Sequence, residues 1–154
     1  MTQRFLARGK RGLVFLEKKK GEDLVVKKKN PKSTAICRLE NEAKLLKKLN
    51  RHGIGPEFIS FKAGELRMEY IEGERILDYF KEASKSKIKK VIRAVFEQLH
   101  ILDKLGINKK EMTNPYKHII VRKDEPVMID FERSAFSERP QNVTQFCQFL
   151  VREN

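Results

Sequence analysis

The sequence predicts an α+β protein, with an antiparallel sheet and one helix in its first half and mainly helices in its second. Three observations lead there. Residues 4–29, RFLARGKRGLVFLEKKKGEDLVVKKK, hold short apolar runs broken by glycines, as antiparallel hairpins do. Ile36, Leu39, Ala43, Leu46 and Leu49 recur at three- and four-residue steps, the period of a helix with one buried face. Ile88, Val91, Ile92, Val95, Leu99 and Leu102 repeat that period over a longer span.

Taken in order, LVFLE and DLVVK read as two strands joined by a turn containing lysine and glycine. A helix is expected from about Ala35 to Asn50, its start capped by Ser33 or Thr34. GIGPEFISF and ELRMEYIEG read as two further strands, the second ending at Gly73. A short helix then covers ILDYFKEAS, and the long one after it stops at Gly106. HIIV and PVMIDF flank the charged turn RKDE as a small hairpin. Pro140 to Arg152 closes the chain as a helix expected to bury Val143, Phe146, Cys147 and Leu150. At 154 residues this is one domain or two small lobes, divided into residues 1–73 and 74–154.

Lysine and arginine outnumber aspartate and glutamate by 34 to 21, a net charge of +13 that attracts the phosphates of nucleotides, nucleic acids or anionic lipids. Charged residues form 36% of the chain against roughly a quarter in ordinary domains, so part of the excess is expected to serve stability. Cys37 and Cys147 lie far apart without CxxC spacing, which speaks against a zinc site or a disulfide framework and for buried thiols. MTQRFLARGKRG has no apolar core of signal-peptide length, and no stretch approaches the roughly 18 apolar residues of a membrane span. The expectation is a cytoplasmic protein without a membrane partner.

Ala7, Gly9, Gly12 and Val14 stand in the spacing of a GxGxxGxV loop, with alanine at the first glycine position. Small residues let backbone N–H groups approach a phosphate, although glycine in a tight hairpin is equally turn chemistry. Lys27 ends the run LVVK, where an ammonium could reach phosphates or simply meet solvent. Glu42 lies about 60° from the centre of the apolar helix stripe, and a carboxylate there calls for a cation, which Lys27 supplies. From Met68 through Glu69 and Ile71 to Gly73, an extended segment could present backbone N–H and C=O groups to an adenine edge, with Met68 behind the base, or serve as a plain linker. His52 and His100 have no evident partner and are assigned no chemistry. The runs EKKKGED and ASKSKIKK, with Arg8, Lys10 and Arg11, are solvated faces or a basic rim.

In this order and on these elements, the GxGxxGxV-like loop, Lys27, Glu42, MEYIEG and MIDFE resemble the protein kinase-like fold, most closely the small atypical archaeal kinases related to the RIO kinases and the kinase of the KEOPS complex. The similarity covers residues 4 to about 139. It implies a two-lobe architecture with a much reduced C-lobe, ATP and magnesium as cofactors, and a hinge near Glu69 to Gly73. By resemblance Lys27 is the phosphate-binding lysine, Glu42 its helix partner, and Asp130 the metal-binding aspartate of a DFG-like motif, with Glu132 where glycine is usual. Counting forward from LGI places Lys109 at the histidine and Glu111 at the catalytic aspartate of HxD. Counting backward from HIIV places His118 at the metal-binding asparagine, two residues further from Glu111 than the family pattern has it. Magnesium prefers hard oxygen donors, so Asn114 is the alternative second ligand.

The implied activity is an ATP-dependent phosphotransferase: serine or threonine phosphorylation, autophosphorylation, or ATP hydrolysis coupled to a protein partner. The stretch after Asp130-Phe131 is short, so this chain alone is not expected to grip a conventional peptide substrate. The alternatives are a pseudokinase, which binds nucleotide or a partner without transfer, and a basic module that binds RNA or ribonucleoprotein through its charge.

Overall fold

The computed structural model describes residues 2–9, 11–34 and 38–153. The protein is mixed α+β, and its contacts divide into two units, Met1–Tyr70 and Ile71–Asn154.

In the first unit, β1 (Gln3–Arg8), β2 (Gly12–Lys19), β3 (Glu22–Lys29), β4 (Phe58–Lys62) and β5 (Glu65–Glu69) form one antiparallel sheet in the order β1-β2-β3-β5-β4. Two-residue turns close β2–β3 at Lys20-Gly21 and β4–β5 at Ala63-Gly64, all four residues having positive φ. Such turns match the right-handed twist of the strands they join. Helix α1 (Leu39–Asn50) buries Leu39, Glu42, Ala43, Leu45, Leu46 and Leu49. Register sorts the sheet residues: Val25 opposite Met68 and Lys27 opposite Leu66 share one face, while Leu24, Val26 and Arg67 share the other. Among the described residues no helix of this unit reaches the second face with a charged partner as α1 does the first. Long side chains shield it instead. Phe5 and Phe15 pack edge to face at 5.7 Å. Glu17, 1% exposed, accepts from Gln3 at 2.7 Å and pairs with Arg67 at 3.4 Å. The Gln3 hydrogen bond, helped by Arg67 and opposed by burial, lowers the Glu17 carboxyl below its usual value.

Three sequence expectations for this unit change. Helix α1 begins at Leu39, not Ala35, and its N-cap is Arg38, so neither Ser33 nor Thr34 caps it. Ala35, Ile36 and Cys37 lie outside the described residues. GIGPEFISF is a strand only from Phe58, because Asn50 at the end of α1 holds the preceding loop, donating to the carbonyls of Ile54 and Pro56 and accepting from the Phe58 N–H.

The second unit holds β6 (Glu74–Arg75), α2 (Ile76–Glu82), α3 (Lys85–Lys104), β7 (Ile107–Asn108), a single 3₁₀ turn (Pro115–Lys117), β8 (Ile119–Arg122), β9 (Glu125–Met128), β10 (Ala135–Phe136) and α4 (Asn142–Arg152). β6, β8 and β9 make a three-stranded sheet, and β7 pairs with β10. The core joins Val91, Val95, Leu99 and Leu102 of α3 to Phe146 and Phe149 of α4. Phe96 meets Phe146 at 5.1 Å and Phe146 stacks on Phe149 at 5.5 Å.

Helix α4 starts at Asn142, two residues later than expected, and its inward face is Asn142, Phe146 and Phe149. At 100° per residue those three span about 60°, whereas Cys147 falls about 140° from Asn142. Cys147 is therefore exposed rather than buried, and Val143 and Leu150 are half-buried. Among the described residues no helix is long and apolar enough to cross a membrane.

Candidate functional site

The first unit places several of the expected residues in one row. Ala7 opposes Val14, Val14 opposes Lys27, and Lys27 opposes Leu66, across four adjacent strands. Lys27 leaves the sheet on the face that α1 covers. Its Nζ lies 2.9 Å and 3.0 Å from the two carboxylate oxygens of Glu42, which is 0% exposed. The pairing expected of Lys27 and Glu42 is thus present. Met68 is buried on the same face, one strand over and opposite Val25.

The glycine loop is closed on itself. The Gly9 N–H donates to the Gly12 carbonyl at 2.8 Å, and the Asn30 N–H donates to the Arg11 carbonyl at 3.1 Å. A Cβ on Gly12 would stand 3.1 Å from the Lys28 carbonyl oxygen, so this glycine lets β2 start tight against β3. Lys10 lies outside the described residues. The Glu69 N–H is spent on the Glu57 carbonyl at 2.9 Å, which leaves it unavailable to a base. Ile71 opens the second unit and is buried there.

In the second unit, Ile107 of β7 and Lys109, just after the strand, are both turned inward, and Lys109 has no exposed surface. Its Nζ donates to the Asp130 carbonyl at 2.6 Å, lies 4.7 Å from the centre of the Phe131 ring and 3.7 Å from Glu111 Oε2. Its N–H donates to Asn142 Oδ1 at 2.8 Å, and Asn142 Nδ2 donates to both Asp103 and the Ile107 carbonyl at 2.7 Å. An ammonium buried to this degree is costly unless its neighbours are fixed, and this network fixes them.

Three cationic or titratable groups surround Glu111. His118 Nδ1 is 3.1 Å from Oε2, and Arg133 Nη1 is 3.7 Å from Oε1. Burial raises the Glu111 carboxyl above its usual value, with Asp130 adding to the rise; Lys109 and Arg133 oppose it. Asp130 has φ +63°, a left-handed backbone uncommon outside glycine, just after the Ile129 N–H makes its bond to the His118 carbonyl at 2.9 Å. Lys109, Glu111, His118 and Asp130 therefore form one cluster. Asn114 stands apart from it in role: its N–H donates to the Glu111 carbonyl at 3.2 Å, and it lines a cleft of about 550 Å³ with Leu77, Asp78, Phe80, Lys81, Tyr116 and Glu153.

Sequence reasoning passed over Asp103, Asn142 and Arg133. The period-two pattern of Ile107 and Lys109 was the available signal for an inward lysine, but nothing local marks Asn142 as its brace. Among the described residues no group of three or more His, Cys, Asp or Glu side chains could hold a metal ion. No protein-family model matches the chain. No curated protein matches it with significance either.

Proposed function

We propose that the protein is an ATP-dependent phosphotransferase with a protein kinase-like two-lobe fold, acting as an atypical serine/threonine kinase or an ATPase. One observation carries the reading: a strand lysine bonded through both oxygens to a fully buried helix glutamate. An ion pair so placed contributes little net stability, and a phosphate-binding role gives a reason to keep it. In this reading Lys27 contacts the α- and β-phosphates and Glu42 orients it. Ala7, Gly9, Gly12 and Val14 cover the nucleotide, and Met68, Glu69 and Ile71 border the adenine.

Glu111 accepts the proton of the attacking hydroxyl or water, and its burial favours that task by raising its basicity. No three His, Cys, Asp or Glu side chains gather to hold a metal among the described residues, so a magnesium ion would take most of its ligands from phosphate oxygens and water. Asp130 would be its first ligand, with His118 beside Glu111, or Asn114 from the cleft it lines, as the second. When bound, the ion neutralises charge on the phosphates.

A pseudokinase is the second reading, favoured by the crowding of Glu111 by His118, Lys109 and Arg133 and by the Gly9 N–H being already engaged. Transfer of labelled phosphate from ATP with magnesium tests both. The enzyme reading expects turnover that Lys27→Ala and Asp130→Ala abolish and Glu111→Gln lowers by at least about 10². Thermal stabilisation by nucleotide without turnover in any acceptor mixture supports a nucleotide-binding pseudokinase, and indifference to nucleotide sinks the enzyme reading and leaves only a pseudokinase that binds a partner.

A further inference from the structure

The second unit carries a charged surface that phosphoryl transfer does not use. On α3 the residues Ser86, Lys89, Lys90 and Arg93 line a shallow concavity of about 420 Å³. Their spacing of i, i+3, i+4 and i+7 is that of a single helix face, and all four are exposed. Lys85 continues the face toward the start of the helix. The opposite face, Val91, Val95, Leu99 and Leu102, is buried, so this one is fixed toward solvent.

The cations of α3 fall into two groups. Lys87 pairs with Asp124 of the β8–β9 turn at 3.1 Å, and Lys90 pairs with Glu125, the first residue of β9, at 3.0 Å. Lys85, Lys89 and Arg93 have no ion pair among the described residues. From Ala83 through Phe96 the sequence has no carboxylate, and the first one on the helix is Glu97, four residues beyond Arg93, so the first three turns carry positive charge alone. That contrasts with α1, where Glu40 and Lys44 pair at 2.9 Å. Cations in the first turns of a helix also oppose its dipole, so the arrangement lowers stability and calls for an anion.

We propose that the α3 face of Lys85, Lys89 and Arg93 binds the phosphate backbone of a nucleic acid without reading its bases. Steps of four residues advance about 6 Å along a helix and turn the stripe by only about 40°, so three long side chains can meet successive phosphates of one strand. A lone phosphate, as on a phosphopeptide, would not engage a stripe of that length. A membrane surface fits poorly, because none of the large exposed apolar side chains, Phe5, Leu6, Ile59, Phe136 and Val151, lies on α3 to enter a bilayer. The face carries no aromatic ring for stacking, so binding is independent of sequence.

The test compares three full-length proteins binding a fluorescent oligoribonucleotide of about 20 residues at several salt concentrations. They are the wild type, Lys85→Gln/Lys89→Gln/Arg93→Gln, and a control of equal charge loss, Lys18→Gln/Lys19→Gln/Lys20→Gln at the end of β2 and in the turn after it. All six positions are exposed, so each variant is expected to fold. The expected result is at least about tenfold weaker binding for the α3 variant, with its salt slope reduced by about 2, against less than about twofold for the control. Equal losses in the two variants would show that net charge, not this face, does the binding, and would overturn the proposal. So would displacement of the oligonucleotide by polyglutamate at equal charge, or a preference for phosphatidylserine vesicles over RNA.

Discussion

Replacing Lys27 by methionine keeps the length of the side chain and removes its charge, leaving the Glu42 carboxylate at 0% exposure without the ammonium 2.9 Å away. Breaking a buried ion pair from one side costs about 3–5 kcal/mol, because the remaining charge stays desolvated. That is a large share of the roughly 5–15 kcal/mol that stabilises a domain. Removing the other partner is cheaper. In Glu42→Leu the lysine, at 15% side-chain exposure, can swing its head into water, and a loss of about 1–2 kcal/mol is expected. The double variant replaces the pair by apolar groups of similar volume and is expected within about 1 kcal/mol of the wild type. Equilibrium urea unfolding of the four proteins at neutral pH gives the coupling directly, expected at no less than about 2 kcal/mol. Additivity of the two single losses within about 0.5 kcal/mol would refute the reasoning, since the pair would then not be what holds Glu42 in the core. Nucleotide-induced stabilisation is expected to vanish in all three variants, including the stable double one, which separates binding from folding.

Glu111→Gln is expected to lower phosphate transfer by about 10² to 10⁴ while raising stability at neutral pH. The sign follows from its raised carboxyl: the folded state holds that proton more tightly than the unfolded chain, so ionisation above pH 4.5 costs the fold, and the advantage of glutamine fades as pH falls to that value. A glutamine variant less stable than wild type near pH 7 would contradict this. Asn142→Ala removes three bonds at a fully buried position, leaving the Lys109 N–H and the Ile107 carbonyl without it; about 3 kcal/mol should be lost in denaturant unfolding. Gly73→Ala would push a methyl into the Val121 carbonyl and to 2.8 Å from Ile120 Cγ2, and about 1–3 kcal/mol of overpacking should appear as a lowered Tm. The reverse result, an unchanged Tm, would mean that β6 and β8 can part at no cost.

Much of the site was readable because its residues sit inside periodic patterns. Glu42 is conspicuous as a carboxylate on an apolar helix stripe, and LVVK ends on the residue that meets it. The cluster around Glu111 was readable only as spacing between flanking elements. That spacing left His118 and Asn114 as equals, whereas the fold puts His118 against the carboxylate and Asn114 in a cleft with α2. Burial of Cys147 was misjudged because one turn of α4 offers several apolar residues, and the stacking of Phe146 on Phe149 chose among them.

By itself the sequence determined the order of the longer strands and the helices, though not the two-residue strands β6, β7 and β10, since hydrophobic period and turn chemistry are local properties of the chain. The tertiary structure alone decided where helix α4 begins. Its first N–H groups, on Asn142 and Val143, are met by the Asp103 carboxylate at 3.1 Å and 3.4 Å, from a residue on α3 some 40 positions away. It also decided what Lys109 meets inside, by bringing Asp130, Glu111 and Asn142 around it. The physical reason is the same in both cases: an orphaned donor or a buried charge is tolerated only where some distant group arrives to meet it, and no local pattern records that arrival.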